Sequence, residues 1–391
     1  MKISLWVRVS CFCFVTTTAT LLLTGTARAA ETFHDIRVQD AKATRPYLIF
    51  ACDRQTKELE SLFTPELISD LKDLGAGIAL STEDFSPERA QVVRRLNAAG
   101  VPMIAWIALP KDQGYYVNVS TAPQTTARFA EFDKWTTDNN LKWEAVGLDI
   151  EPTLNEYSAL MEHKEQLISM AVKRALDSGR VSRGREAYNA LIRQMQSRGY
   201  KVQTYQLTFM ADERNAHTTL LERIFGIVDV HGDQEVFMLY TSFVHQFGAA
   251  QIWQYAPSAQ IIAVGSTATS GDAANDAKYP PLNWEEFSRD LIVAHHFSPI
   301  VGVYSLEGCV KQGFIPKLKT MDWTQPVVIP AESLHQAAKV ANGIHAVLWL
   351  GSHLIYFVVA FLLLFIWLVR MIVRWRRRKR ATRLAQVQSI L

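Results

Sequence analysis

Between residues 45 and 307 short apolar runs alternate with amphipathic stretches. Tyr47 to Cys52, Gly75 to Leu80, Val101 to Ala108, Ala145 to Glu151, Lys201 to Phe209, Glu235 to Thr241, Gln260 to Gly265 and Ile300 to Leu306 have the length and content of buried strands. The stretches between them carry helical spacing, as at Leu59 to Leu71 and Pro87 to Ala98, with Gly75 and Gly100 as stop signals. Ser86-Pro87 reads as an N-cap followed by proline at the first helical position. The stretch Asn155 to Arg198 is too long for one helix and predicts two, broken near Gly179 to Gly184. Alternation of strand and helix predicts a parallel sheet. Eight repeats predict a closed (β/α)8 TIM barrel, with an open doubly wound sheet as the alternative. Polar and aromatic residues follow nearly every strand, and a closed barrel would gather them into one mouth.

The two ends carry a different pattern. Lys2 and Arg8, an apolar stretch through Leu21-Leu22-Leu23 and the triplet Ala27-Arg28-Ala29 predict a secretory signal over residues 1–29, with an uncleaved anchor as the alternative. Residues 346–369 are almost wholly apolar and long enough to cross a bilayer as one helix. Arg370, Arg374, Arg376, Arg377, Arg378, Lys379, Arg380 and Arg383 follow, without an acid. Such a run marks a cytoplasmic tail over 370–391 that contacts lipid phosphates. The expected organisation is then a barrel over 30–330 outside the cytoplasm, a linker over 331–345, one span and the tail.

Charge follows the same division. The chain is +3 overall, and both ends are basic, so the central region carries about −8. That balance argues against nucleic acid as a partner. There is no G-x-G-x-x-G, P-loop, G-x-S-x-G or zinc-like Cys/His spacing, so neither cofactor nor metal is expected. Outside the leader only Cys52 and Cys309 remain. They follow from the first and eighth strands, which are neighbours in a closed barrel. A disulfide and two buried thiols are equally compatible with that placement.

The candidate chemistry sits at the fourth strand, where Val146-Gly147-Leu148-Asp149-Ile150-Glu151-Pro152 breaks from apolar into two carboxylates. Residues two apart share a strand face, which sets Asp149 and Glu151 side by side, with Cα atoms ~6.5 Å apart. Two carboxylates that close do not ionise together, so one pKa is expected to rise, giving the acid and base that glycosidic chemistry uses. Other strand-end residues would bind substrate: Asp53, Trp106, Gln206, Asp212, Glu307, Tyr115 and Tyr116 in the loop Leu109 to Thr121, and Trp284. The plain alternative for a single tryptophan is packing of a helix on the barrel. The long loop Gly265 to Asn283 suggests a lid. His231-Gly232-Asp233 reads as a turn.

Three strand ends together resemble the chitinase-like family 18 glycoside hydrolases and their relatives. Family 25 lysozyme-like barrels also carry an Asp-x-Glu at the fourth strand, so the resemblance is to a clan rather than to one family. Gly147-Leu148-Asp149-Ile150-Glu151-Pro152 is similar to the end of the family 18 signature Asp-Gly-x-Asp-x-Asp-x-Glu, with Gly147 where the family has an Asp. Met238-Leu239-Tyr240-Thr241 resembles its Met-x-Tyr-Asp, with Thr241 replacing the Asp. Tyr304-Ser305-Leu306-Glu307 resembles its Trp-Ser-x-Asp. The resemblance implies that Glu151 is the general acid. Asp149 would orient a 2-acetamido group that attacks the anomeric carbon, and Tyr240 would hold that group's oxygen. If Asp149, Glu307 or Asp53 is the partner instead, the sugar need not carry an acetamido group. The expected activity is a retaining hydrolase acting on an envelope or extracellular glycan. The two missing acids keep a non-catalytic glycan-binding or scaffolding protein as the rival.

Overall fold

The structure, a computed structural model, describes residues 33–38, 44–152, 173–268 and 277–388. The expected leader lies outside these residues, as do much of the loop Gly265 to Asn283 and the first of the two helices expected over Asn155 to Arg198.

Eight parallel strands close into a barrel: β2 (Tyr47–Cys52), β3 (Gly77–Ser81), β4 (Met103–Ile107), β5 (Ala145–Asp149), β6 (Lys201–Leu207), β7 (Gln234–Tyr240), β8 (Ile261–Gly265) and β9 (Ile300–Tyr304). β9 returns to β2 in register Tyr47 to Ile300, which completes the ring and rules out the open sheet. The strand runs are continuous in hydrophobicity because both faces are buried. Leu48, Phe50, Ile78, Leu80, Val146, Leu148, Phe237 and Leu239 point outward into the layer shared with the helices. Ile49, Ala79, Ile104 and Ala145 fill the interior. Each large apolar side chain fully buried this way contributes roughly 1.5–3 kcal/mol.

The outer helices are α1 (Thr56–Leu62), α2 (Pro65–Asp73), α3 (Pro87–Ala99), α4 (Ala122–Asp138), α5 (Ser178–Ser197), α6 (Phe209–Asn215), α7 (Leu220–Phe225), α8 (Gly248–Tyr255), α9 (Trp284–Phe297), α10 (Leu306–Lys311) and α11 (Phe314–Lys319). The cap at Ser86 forms as expected, its hydroxyl accepting from the Arg89 amide at 3.2 Å. The single helix expected over Leu59 to Leu71 is two. Pro65 starts a new helix with Thr64 as its cap, and proline there removes the hydrogen bond that continuation would need. The break expected at Gly179 to Gly184 falls earlier, at Leu176-Asp177. Asp177 caps α5 by accepting from the Arg180 amide, and both glycines lie inside that helix.

Two features at the ends were not expected. β1 (Ile36–Val38) pairs antiparallel with β10 (Val327–Ile329) outside the barrel. Residues 331–345 are not a loose linker: they form most of a 22-residue helix, α12 (Ala331–Ser352), that packs on α6, α7 and α8. Leu334, Ala337, Ala341 and Leu348 are buried in that contact. The apolar stretch expected from Ala346 is thus shared between α12 and α13 (Leu354–Gln388). The segment long and apolar enough to cross a membrane is Tyr356–Arg377, and none of it is buried against the protein.

Cys52 and Cys309 are both buried free thiols, so no disulfide links them. Cys52 points outward from its strand into the core. Cys309, on α10, faces the Thr267 hydroxyl at 3.5 Å.

Candidate active site

The mouth is built by strand parity. Along β5, Ala145, Gly147 and Asp149 face inward, and the extended backbone carries the alternation on to Glu151. Ile150 between the two acids is fully buried on the outer side. The loop after β4 holds this extension straight. The Val117 amide donates to the Asp149 carbonyl at 2.9 Å, and the Glu151 amide donates to the Val117 carbonyl at 3.1 Å. Asp149 and Glu151 therefore share a face, as the spacing required.

Asp149 is 5% exposed, and its Oδ1 has no hydrogen-bond partner. Burial pushes its pKa well above the usual carboxylate range, and the charges of Glu151 and Asp53 push the same way. Glu151, half-buried, stands nearer the solvent.

Aromatic side chains from the same parity close around Asp149. Trp106, Tyr205, Met238, Tyr240 and Tyr304 line a cavity of about 20 Å³ with Asp149 on its wall. A second cavity, about 30 Å³, lies deeper between Gln203, Tyr205, Tyr240 and Tyr304. Spaces of this size hold about one water each, far less than a sugar ring. Tyr240 and Tyr304 stack with ring centroids 5.3 Å apart. Burial raises the Tyr240 phenol well above its ordinary value, reinforced by the charge of Asp149. Tyr115 and Tyr116 meet edge to face at 5.0 Å, and Tyr115 also packs on Trp106.

A second acidic pair flanks the first. The Tyr115 hydroxyl donates to Asp53 Oδ1 at 2.5 Å. Glu307 has a side chain 10% exposed, lies 3.7 Å from Arg54 Nε and keeps Oε2 buried without a hydrogen bond. Burial raises its pKa against the pull of Arg54. Asp53, Asp149, Glu151, Glu307, Trp106, Tyr115, Tyr116 and Tyr240 are thus brought together.

Three expected site residues are elsewhere. Gln206 has the wrong parity: it points out of the barrel, and its Nε2 donates to the Val230 carbonyl at 3.1 Å. Asp212 sits on α6 and faces α12, accepting from the Tyr255 hydroxyl at 2.8 Å and lying 2.8 Å from His345 Nε2. Trp284 opens α9 and packs on Phe287 and Phe314, with Lys317 over its ring.

The two departures from the family pattern have structural counterparts. A Cβ on Gly147 would lie 2.6 Å from Tyr205 Cε2, so the Tyr205 ring fills the place a side chain there would take. Thr241 faces outward and gives its hydroxyl to the buried Asp290 carboxylate. Tyr205 was missed as a site residue although its parity, two on from Gln203, sets it inside. Two arginines that shape the mouth, Arg89 fully buried and Arg128 half-buried, were missed as well. Arg89 donates to the Ser81 and Arg54 carbonyls, and Arg128 to those of Thr82 and Glu83.

No family model and no curated protein matches the chain. Solved structures similar to it share a barrel architecture at low identity. The PgaB (BpsB) glycoside hydrolase domain from Bordetella bronchiseptica is 11% identical, covering 71% of this chain and 98% of that one, with a TM-score of 0.41. An endo-beta1,6-glucanase is 12% identical over 70% of this chain and 69% of its own, at 0.37. A 3-keto-D-glucoside 4-epimerase from E. coli is 12% identical over 71% and 100%, also at 0.37. These likenesses do not assign the chain to family 18 and carry nothing about its activity. The chain is a TIM barrel with an acid- and tyrosine-lined mouth and one long apolar C-terminal helix.

Proposed function

We propose that the chain is a membrane-anchored glycoside hydrolase, retaining in outcome, that acts on a glycan outside the cytoplasm. The observation that carries this is a buried Asp149, its pKa raised by burial and by the charges beside it, on the same inner face as the more exposed Glu151, within a wall of tyrosines. In this reading the sugar sits above the tyrosine layer, because the cavities beneath it are too small. Glu151 protonates the leaving oxygen, drawing on the proton the pair retains. Asp149 lies beneath and, once ionised, stabilises the positive charge that develops on the sugar. Tyr240 orients the ring. The acid-rich mouth fits neutral sugars better than uronic acids. The alternative partner carboxylates are Glu307 and Asp53, which would serve a sugar without an acetamido group.

The test is a panel of glycans with and without 2-acetamido groups, assayed with the parent and Glu151→Gln. Cleavage confined to acetamido sugars supports participation of the substrate; equal cleavage without that group supports a carboxylate nucleophile. A second reading, a glycan-binding protein without catalysis, is favoured by the small cavities and by the Tyr205 ring over Gly147. It takes over if glycans bind at the mouth, none is cleaved and Glu151→Gln changes nothing.

A further inference from the structure

Helix α12 is buried against the barrel helices along one side. Its outward side carries the exposed Lys339 and Asn342 earlier on, but in the last two turns the large exposed side chains are apolar. Val347, Trp349 and Leu350, with Val340 two turns before, are each between 44% and 55% exposed. Only His353 separates α12 from α13, and the apolar span begins at Tyr356. At helical rise Val347 is within ~14 Å along the chain from the span's start, and Leu350 within ~9 Å. A surface that close to the point of membrane entry lies at the depth of headgroups and upper acyl chains. Trp349 stacks on His353 and meets Phe357 edge to face, an aromatic at the join where interfacial aromatics are favoured.

A second surface joins this one. A Cβ on Gly351 would meet Leu220 Cδ2, so the end of α12 is pressed onto the start of α7. From α7, Arg223 donates to the Ala175 carbonyl, and Arg174 donates back to the Ile224 carbonyl. These contacts hold Leu176, which at 77% is more exposed than any other large apolar residue among the described residues. Lys173 and Arg183 are exposed nearby, with Asp177 and Glu186 as the neighbouring exposed acids.

We propose that Leu176 and the outer face of α12 form a lipid-binding surface that lies in the headgroup zone of the bilayer. This rests on the reading of Tyr356–Arg377 as a membrane span. The occupant is lipid: apolar side chains meet the upper acyl chains, and Lys173 and Arg183 meet phosphates. Because the opposite face of α12 is buried on α6, α7 and α8, the barrel is held with that side toward the membrane. Its mouth then works at a fixed height over the lipid surface.

The experiment uses the full chain in lipid nanodiscs of phosphatidylcholine and phosphatidylglycerol. Benzoylphenylalanine replaces Leu176, Val347, Phe361 or Gln91 one at a time, and adducts are identified by mass spectrometry after illumination. Phe361 lies within the span, and Gln91 is an exposed position on α3. Lipid adducts at 176, 347 and 361 with none at 91 are expected. Adducts at 361 alone would overturn the proposal and leave the span standing. Chain-to-chain adducts at 176 or 347 would assign the surface to a second copy and overturn it as well. Absence of lipid adducts at 361 would remove the span, and the proposal with it. None of these outcomes reads catalysis, so the hydrolase assignment is tested separately.

Discussion

Asp149 has lost nearly all its solvent and has no hydrogen bond at Oδ1. Burial, with the charges of Glu151 and Asp53 nearby, raises its pKa well above the usual carboxylate range. Glu151→Gln preserves shape and removes the transferable proton. It should lower turnover by at least ~10²-fold with glycan binding nearly intact, since general acid catalysis contributes on that scale. An unchanged rate on a cleaved glycan would remove Glu151 from the mechanism. Asp149→Asn has a signed consequence for the pH profile. Burial and the neighbouring charges raise the pKa of Asp149, so the pair keeps a proton to higher pH. Removing Asp149 removes that raised group, so the alkaline limb of kcat/KM should move to lower pH. A limb that stays in place or moves up would contradict the coupling. Gly147 gives a purely structural test. Gly147→Ala drives a methyl into the Tyr205 ring and should cost on the order of 1–3 kcal/mol in urea unfolding.

At the scale of elements, the eight strands were legible because each is buried on both faces and reads as a continuous apolar run. Their ends were less legible. Gly75, at φ 56°, belongs to the turn that closes α2 and not to the strand that follows. The three-residue strands β1 and β10 are too short for periodicity to register. In the site, parity decided success. Asp149, Glu151, Tyr240 and Trp106 were placed correctly because each lies on its strand or its straight continuation. Gln206 failed by one residue of parity. Asp212 and Trp284 lie on helices, where strand alternation no longer says which way a side chain points. Arg89 was invisible because an arginine on an amphipathic helix reads as solvated, yet it is fully buried beneath the loop after β3. It holds the Ser81 and Arg54 carbonyls and pairs with Asp84 at 3.2 Å. Arg89→Met should destabilise by at least ~2 kcal/mol, because buried acceptors lose their donors. Burial works to raise the Asp84 pKa, but hydrogen bonds from Ser86 and Thr56 and the charge of Arg89 outweigh it and hold it at about 2. The folded value is below the ordinary one of 3.8, so this stabilisation is full above that pH. It is lost as pH falls from there through about 2. A urea titration across that window should show the loss in the parent and a smaller one in Asp84→Asn.

For the whole molecule the instructive element is α12, where a helix took the place of the expected linker. Its sequence is moderately polar at the start and apolar at the end, so it reads as a tether running into a span. What the pattern hides is that Leu334, Ala337, Ala341 and Leu348 recur on one face and that this face is buried. From α12, His345 Nε2 reaches Asp212 at 2.8 Å, and the Tyr255 hydroxyl donates to the same carboxylate. The barrel unit therefore extends to Ser352, and the end of that unit can be located by truncation. A chain ended at residue 352 retains α12 and should unfold at nearly the same urea concentration as the full chain in detergent. A chain ended at 330 leaves α6, α7 and α8 uncovered. Losing two buried leucines alone removes roughly 3–6 kcal/mol by area, a large share of a typical domain's stability. The two truncations should therefore differ by several kcal/mol, with the shorter chain marginal or aggregating. If both unfold alike, α12 is a tether after all, and the barrel is free to tilt over the membrane surface.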